Sequence, residues 1–310
     1  MIKSYSYKGL TWLDAGSPTP KEVSSLVEKY RLHPLVGEEL LVPTRKPKID
    51  IYDSYLFLVL HIPIRRNGSG KKVIEEKEID FIIGSDFIIT THAGTVSPLH
   101  NLGKSFETNA VLEKGGIASY VGNHAGIIFY HIMKRLYDQM RQDLEDMRDD
   151  LNRAEKNIFE GNERKMVQAL SELSREIIDF KQTARLHKEV LESFSAVPQD
   201  FFGSDFAHFI EDIRQTYASI HELIGVNKEL LTDLRETNDS LLSTKQNEHM
   251  KFFTILAFVT FPLALLLDIF SLPTSHTPII GSPYDWEIIT GGVIVLAITM
   301  FAYFKDKGWL

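Results

Sequence analysis

Two uncharged apolar segments near the C-terminus most constrain how this chain can fold. Residues 252–267 and 288–304 contain no Asp, Glu, Lys or Arg. A membrane-spanning helix needs about 17–25 apolar residues. The second segment reaches that length, and the first reaches it if its helix continues through Leu272. Both segments lie far from the N-terminus, so neither is a signal peptide, and we predict two transmembrane helices.

The distribution of lysine predicts the orientation of these helices. Lys251 precedes the first segment, and Lys305 and Lys307 follow the second, whereas the stretch between the segments contains no Lys or Arg. Flanks rich in Lys and Arg stay on the cytoplasmic side of a membrane. We therefore predict a multi-pass protein of the plasma (inner) membrane, with both termini in the cytoplasm.

Composition and motifs argue against several classes of function. The 310 residues include no cysteine, which excludes disulfides and thiolate metal sites. The net charge of -8 argues against a nucleic-acid partner. The glycines of "NGSGKK" at 67–72 have the wrong spacing for a phosphate loop and predict a hairpin turn. No catalytic motif is visible, so we predict that the protein is not an enzyme and has no tightly bound cofactor.

Strand and helix patterns predict the organisation of the chain. Strands are predicted at "TWLDA", "YLFLVLHIPI", "EEKEIDFIIG" and "DFIITTH", and a helix is predicted at 20–30. These patterns indicate an α/β domain. The predicted regions are a cytoplasmic α/β domain at 1–115, a helical stalk region at 116–250, transmembrane helices at 251–273 and 288–304, an external loop at 274–287 and a basic tail at 305–310.

One helix is predicted to begin near Ser204 or Asp205 and to run into the membrane without interruption. Its apolar residues recur every three or four positions, which is typical of a helix packed along one stripe. Continued to Leu272, it would be roughly 100 Å long at about 1.5 Å per residue. Such a helix must pack against other helices or against copies of itself, which is a first indication of an oligomer.

A cluster of acids within the stalk region permits two interpretations. Asp143, Asp146 and Asp150 share one helix face, where they could collect divalent cations. The spacing of nearby arginines instead favours a solvated face with local ion pairs.

Several stretches together resemble the CorA family of divalent-cation channels. "HPL" at 33–35, "RKPK" at 45–48 and "YLFLVL" at 55–60 look like elements of the family's N-terminal domain. "QNEHMKFFT" at 246–254, followed by Pro262, is similar to the start of its first membrane helix, and "AYFKDKGWL" at the end resembles its C-terminal tail. The stretches occur in the family's order over nearly the whole chain.

The resemblance implies a homopentameric funnel in which an α/β cytoplasmic domain and a long helical stalk precede two transmembrane helices. The implied partners are further copies of the chain, the lipid bilayer and metal cations. The implied substrate and possible regulator is a divalent cation such as Mg²⁺. Eight residues on one stripe are expected to line the pore: Asn247, Met250, Phe253, Ala257, Phe261, Ala264, Asp268 and Ser271.

The family's Gly-Met-Asn signature has no counterpart at the expected place. A gap-free count from Pro262 reaches Ser271, Leu272 and Pro273 instead. Proline has neither a side-chain carbonyl nor an N–H, so it cannot contribute to a ring that contacts hydrated Mg²⁺. Asp268, where the family usually has Gly, would instead supply a ring of carboxylates. The alternative is that Asp268 is an interfacial acid that reaches headgroup water.

The resemblance also implies regulatory cation sites between neighbouring cytoplasmic domains. Glu39, with Glu38 beside it, follows His-Pro-Leu, and Asp212, with Glu211 beside it, is reached by counting back from Asn247. Facing carboxylates repel each other until a cation bridges them. The alternative is that these acids are simply exposed on helix surfaces.

Three functions remain open from sequence. The first is a passive divalent-cation channel with altered selectivity. The second is a poorly selective or monovalent cation channel. The third is a non-conducting membrane sensor or scaffold with the same fold.

Overall fold

The computed structural model describes residues 2–7, 9–68, 71–107, 124–194, 197, 199–203, 206–272, 279–281 and 283–309. The chain divides into two compact units, Met1–Arg235 and Glu236–Leu310, and the boundary falls inside one long helix.

The first unit contains a six-stranded sheet. Its strands are β1 (Ile2–Tyr7), β2 (Leu10–Gly16), β3 (Lys48–Ile51), β4 (Leu56–Asn67), β5 (Lys72–Ile83) and β6 (Phe87–His92). Their spatial order is β1-β2-β6-β5-β4-β3, with β2 and β6 parallel and the other neighbours antiparallel. Asn67 pairs with Lys72, which confirms the predicted hairpin, although residues 69 and 70 lie outside the described part of the chain.

The described helices are α1 (Pro20–Tyr30), α2 (Pro34–Glu39), α3 (Ser97–Glu107), α4 (Gly126–Phe159), α5 (Glu163–Ala184), α6 (His187–Ser193), α7 (Gln199–Phe202), α8 (Phe206–Ser271) and α9 (Asp285–Asp306). A capping box begins α1, because the Thr19 side chain accepts from the Glu22 backbone N–H and the Glu22 carboxylate accepts from the Thr19 N–H. Pro20 occupies the first turn, where its missing N–H costs nothing. The helix predicted at 20–30 is therefore confirmed.

Helices cover both faces of the sheet. On one face, α1 and α2 pack through Val23, Leu26 and Val36 onto Phe57 and Val59 of β4. On the other face α4 and α5 contact β4, and Phe129 meets Phe81 edge to face at 5.5 Å. The apolar residues from Leu56 to Ile62 are at most 1% exposed, as expected for a strand buried on two sides.

The first part of α8 packs within the first unit. Its buried residues include Ile213, Ile220 and Ile224, and Asn227 Nδ2 donates to the carbonyl oxygen of Leu144 at 2.8 Å. The helix then continues to Ser271, 66 residues in all, with Pro262 inside it. This confirms the predicted uninterrupted helix. The predicted starting residues, 204 and 205, lie outside the described residues.

Candidate functional site

The second unit presents a large apolar surface in the single chain. Among the described residues, α8 and α9 are the helices long and apolar enough to cross a membrane. The most apolar part of each helix is almost entirely unburied in the single chain. Phe261 is 72% exposed, and Met250 and Phe253 are also exposed. Soluble monomers rarely leave apolar patches of this kind uncovered, so lipid or other copies of the chain must cover this surface.

The eight residues predicted to line a pore lie on the exposed side of α8. Every one of their side chains is exposed in the single chain. From residue 243 to the end of α8, the buried residues are Ile255 and Val259, each 3% exposed. At about 100° per residue, these two point about 180° away from the centre of the predicted stripe. The stripe therefore faces away from the side of α8 that the chain itself buries.

Asp268 lies on this stripe, one turn before the end of α8. Its side chain is exposed, and its carbonyl oxygen accepts a hydrogen bond from Ser271 Oγ at 3.0 Å. It lies about 26 Å beyond Lys251 along the helix, which places it near the far side of a ~30 Å hydrocarbon layer. Pro273, the last of the three positions at which the sequence comparison expected the family signature, lies outside the described residues.

A hydrogen bond joins the two ends of the α8–α9 pair. Lys251 Nζ donates to the carbonyl oxygen of Gly308 at 3.0 Å. The ammonium also lies 5.9 Å from the ring centroid of Trp309, a cation–π distance. The start of the first apolar segment therefore lies beside the end of the second. Lysine and tryptophan at this point are typical of a membrane–water interface.

Glu39, a predicted regulatory acid, is ion-paired with a lysine of its own chain. Lys48 Nζ lies 2.7 Å from Glu39 Oε2 and 2.7 Å from Asp50 Oδ2. Burial lowers the pKa of Lys48, but the hydrogen bonds to Asp50 and Glu39 outweigh burial and raise it. A metal ion that binds Glu39 would therefore compete with a charged lysine.

Asp212, the second predicted regulatory acid, also has partners within its chain. Lys134 Nζ lies 2.9 Å from Asp212 Oδ2, and the Tyr130 hydroxyl donates to the same oxygen at 2.8 Å. Burial raises the pKa of Asp212, but the bonds from Lys134 and Tyr130 outweigh burial and lower it. Burial and the adjacent carboxylate raise the pKa of Tyr130 far above its usual value, so the phenol remains a donor.

The remaining predicted regulatory acids, Glu38 and Glu211, are exposed. Gln215 Nε2 donates to Glu211 Oε1 at 3.3 Å. The described residues contain no group of three or more His, Asp or Glu side chains that could hold a metal ion. The four acids thus form no such group within one chain, and the predicted site between neighbouring chains stays a prediction.

The acidic face of α4 is only partly the solvated face that the sequence favoured. Arg65, on β4, donates from Nε to Glu176 Oε2 at 2.7 Å and from Nη2 to Asp150. Its backbone N–H donates to Asp143 Oδ2 at 2.9 Å. The side chain of Arg65 is only 6% exposed, and that of Glu176 is 8% exposed. That interpretation is wrong for Asp143 and Asp150, whose main partner, Arg65, comes from a strand rather than from the same helix. It holds in part elsewhere, because Asp146 is exposed and Arg153 makes a local ion pair with Asp150.

An α/β domain and two uncovered apolar helices of membrane length, one of them the 66-residue α8, define a membrane protein with a large water-soluble portion. The family model described as "CorA-like Mg2+ transporter protein" matches residues 7–305. The chain therefore belongs to this family of metal-ion transporters.

Individual relatives agree with this assignment. The chain is 22% identical over 301 residues to the cobalt/magnesium transport protein CorA of Thermotoga maritima, covering 97% of this chain and 83% of that protein. The complete structure of the CorA magnesium transporter from Methanocaldococcus jannaschii superimposes with a TM-score of 0.81 at 16% identity, covering 98% of this chain and 93% of the other. The full-length CmaX protein gives a TM-score of 0.72 at 15% identity, with coverage of 96% and 88%. These structures confirm the predicted fold of the single chain, and the pentamer stays a prediction.

Proposed function

We propose that this chain forms a passive cation channel of the plasma membrane, with both termini in the cytoplasm, in which five copies of α8 surround a pore. The observation that carries the proposal is the exposed stripe from Asn247 to Ser271, which lies opposite the buried Ile255 and Val259. Within the membrane segment, this stripe includes the carboxylate of Asp268. Ionisable side chains within membrane segments almost always face a bundle interior or a water-filled cavity.

The family assignment supports divalent cations as the substrate. The Thermotoga maritima relative is named a cobalt/magnesium transport protein, and magnesium appears in the description of the family. Inward movement of a divalent cation gains about 4.6 kcal/mol per 100 mV of membrane potential, twice the value of about 2.3 for one charge. The potential is therefore a sufficient driving force, and transport requires no other energy source.

The proposed pore alternates between narrow and wide rings. Rings of Met250 and Phe261 would form apolar constrictions, which can close a channel by excluding water. Rings of Ala257 and Ala264 would leave more space. The five-fold assembly itself is what the family resemblance implies.

We further propose that a ring of Asp268 carboxylates selects the permeating ion. Such a ring attracts cations and repels anions through charge. Charge discriminates valence better than size, so we expect weak preference among divalent ions. In this respect the channel would differ from one that recognises hydrated Mg²⁺ through amide oxygens.

Divalent cations are also proposed to regulate the channel by bridging Glu39 of one chain and Asp212 of the next, with Glu38 and Glu211 nearby. The pairs Lys48–Glu39 and Lys134–Asp212 would then be intramolecular competitors of the ion. Ion binding would favour a closed, symmetric ring.

Flux measurements in liposomes made from the purified protein test the function. A potassium diffusion potential drives uptake of Mg²⁺, Co²⁺ or Na⁺, each followed with an indicator dye, and protein-free liposomes are the control. Divalent uptake that increases with potential supports the proposal. Uptake of Na⁺ at a similar rate would favour a poorly selective channel. Complete absence of cation flux would contradict the proposal and favour a sensor or scaffold.

A further inference from the structure

A short irregular segment, residues 40–44, connects the end of α2 to the stretch before β3, and we call it the strap. The strap and residues of β5 and β6 line a cavity of about 270 Å³. Leu40, at its start, is buried, whereas Leu41 and Val42 are exposed. At its end, the Thr44 backbone N–H donates to Glu78 Oε1 of β5 at 2.8 Å. The position of the Glu78 side chain therefore decides whether this end of the strap stays on the sheet.

Glu78 has a second acid, Asp80, as its neighbour. The two residues are two positions apart on β5, so their side chains point to the same face of the sheet. Asp80 is 6% exposed, and its Oδ2 accepts a hydrogen bond from Thr91 Oγ1 at 2.6 Å. Its carboxyl also lies within hydrogen-bonding distance of the Glu78 carboxyl. Because ionised carboxylates only accept hydrogen bonds, a bond between these two requires a proton on one of them.

The charged groups that face this pair come from α2, β3, β4 and β5. His61 Nδ1 lies 2.6 Å from Glu76 Oε1, and His61 Nε2 lies 3.9 Å from Glu78 Oε2, beyond hydrogen-bonding distance. Lys48 Nζ is held by Glu39 and Asp50, each at 2.7 Å. The described basic groups therefore form no hydrogen bond with Glu78 or Asp80. The facing groups are Glu39, Lys48, Asp50, His61 and Glu76.

The surroundings of Asp80 favour its protonated form. Burial raises the pKa of Asp80, and the Glu78 and Glu39 carboxylates raise it further, to about 7, although the Thr91 hydroxyl opposes the shift. In the folded chain Asp80 therefore carries a proton below about pH 7 and loses it above. Once both acids are ionised, two adjacent negative charges repel each other in a site with little water.

We propose that a proton shared by Asp80 and Glu78 holds the strap on the sheet, and that losing this proton as the pH rises releases it. The protonated Asp80 donates to Glu78, which keeps Glu78 Oε1 in place to accept from Thr44. When the proton passes to water, the carboxylates repel each other and Glu78 turns away from Asp80 into the cavity. The bond to Thr44 is then lost, and the strap and the end of α2 can move.

Hydrogen exchange of the full-length protein in detergent tests this switch. Mass spectrometry of peptides covering residues 40–47 measures exchange of the strap relative to the intrinsic rate at the same pH. For a group with a pKa of about 7, the protonated fraction falls about tenfold between pH 6 and pH 8. We expect protection of the strap to fall over this range by up to the same factor. Equal protection at the two pH values would overturn the proposal.

Two amide variants fix the hydrogen bond and should remove the pH dependence. In Asp80→Asn, Nδ2 donates to Glu78 at every pH and Oδ1 still accepts from Thr91. In Glu78→Gln, Nε2 donates to Asp80 and Oε1 still accepts from Thr44. The strap should remain protected at pH 6 and pH 8 in both. The control Asp53→Asn removes an exposed carboxylate and should behave as wild type. Loss of protection at pH 8 in both amide variants would assign the switch to another group.

Infrared spectroscopy detects the shared proton itself. A protonated carboxyl has a carbonyl stretch that is distinct from the stretches of a carboxylate. We expect wild type at pH 6 to show one such band per chain that Asp80→Asn lacks, and we expect this band to disappear from wild type by pH 8. Identical spectra of wild type and Asp80→Asn in this region at pH 6 would exclude the proton and overturn the proposal.

Discussion

Lys251 and Gly308 meet at one end of the α8–α9 pair, where the lysine ammonium donates to the glycine carbonyl at 3.0 Å. The apolar run of α8 begins at this contact, and the apolar run of α9 ends there. If both runs cross the bilayer, the residues before the first and after the second lie on the same side of the membrane. The basic residues at this end are the basis for the proposed cytoplasmic orientation of both termini.

Single-cysteine labelling should demonstrate this topology. Because the chain has no native cysteine, an introduced cysteine is the only thiol that can react. We expect Tyr284→Cys to react with a membrane-impermeant maleimide added to intact cells, because Tyr284 is exposed immediately before α9. Lys307→Cys should react only after the cells are permeabilised. Labelling of both positions from outside, or the reverse pattern, would contradict the proposed orientation.

Asp268→Asn should reduce divalent-cation flux in liposomes by about tenfold or more, because focused charge raises the local cation concentration by at least that factor. Cation-over-anion selectivity should fall in parallel. The control is Glu287→Gln, which removes an exposed acid near the start of α9, away from the stripe. Flux like that of wild type through pentameric Asp268→Asn protein would identify Asp268 as an interfacial acid.

Divalent cations are expected to protect the protein against protease, and Lys134→Gln should lower the cation concentration that this protection requires. Removing the lysine frees Asp212 from a partly exposed ion pair, which is worth roughly 0.2–1 kcal/mol. The ion concentration for half protection should therefore fall by up to about fivefold. Asp212→Asn should raise it, and Lys188→Gln, which removes an exposed lysine on α6, should leave it unchanged. Identical protection in all four proteins would exclude Asp212 as the sensor.

The free energy of unfolding should decrease as the pH falls from about 6.5 towards 4, partly because of His187. This residue is fully buried, with Nε2 2.8 Å from the His61 carbonyl oxygen and Nδ1 3.2 Å from the Tyr137 hydroxyl. Burial lowers its pKa to about 4, so the unfolded chain binds a proton in this pH range that the folded chain does not. Stability is then present above pH 6.5 and is lost at up to about 1.4 kcal/mol per pH unit.

Thermal unfolding of His187→Gln at pH 7 and pH 5 measures this contribution. The variant should lose less stability than wild type between the two pH values. His208→Gln, which changes an exposed histidine, should match wild type. An unchanged pH dependence in His187→Gln would show that other groups cause the acid sensitivity.

Arg65→Leu should destabilise the first unit by roughly 3–5 kcal/mol, because it leaves the carboxylates of Asp150 and Glu176 buried without their main partner. Arg153→Leu, which alters an arginine that is 66% exposed and contacts the same Asp150, should cost about 1 kcal/mol or less. Denaturant unfolding of full-length protein in detergent compares the two. A similar cost for both variants would contradict a buried network centred on Arg65.

The sequence predicted features that depend on local periodicity. Strands β2, β4, β5 and β6 were predicted from their apolar residues, and α8 was predicted from its three- and four-residue spacing. Strands β1 and β3 were missed because their sequences, "IKSYSY" and "KIDI", lie at the two edges of the sheet and are rich in polar residues.

Partners that are distant in sequence could not be predicted. Asp212 contacts Tyr130 and Lys134, about 80 positions earlier. For the pore stripe, spacing identified a helix face, but only the burial of Ile255 and Val259 shows which face the chain leaves open.

Arg65 also couples displacements of α4 and α5 to displacements of the sheet in the first unit. Its guanidinium holds α4 through Asp150 and α5 through Glu176, while its backbone belongs to β4. Sliding of either helix along the sheet would separate one of these buried pairs and leave an unneutralised charge. The two helices and the strand must therefore shift together, so a displacement applied to either helix reaches the sheet without slip between the layers.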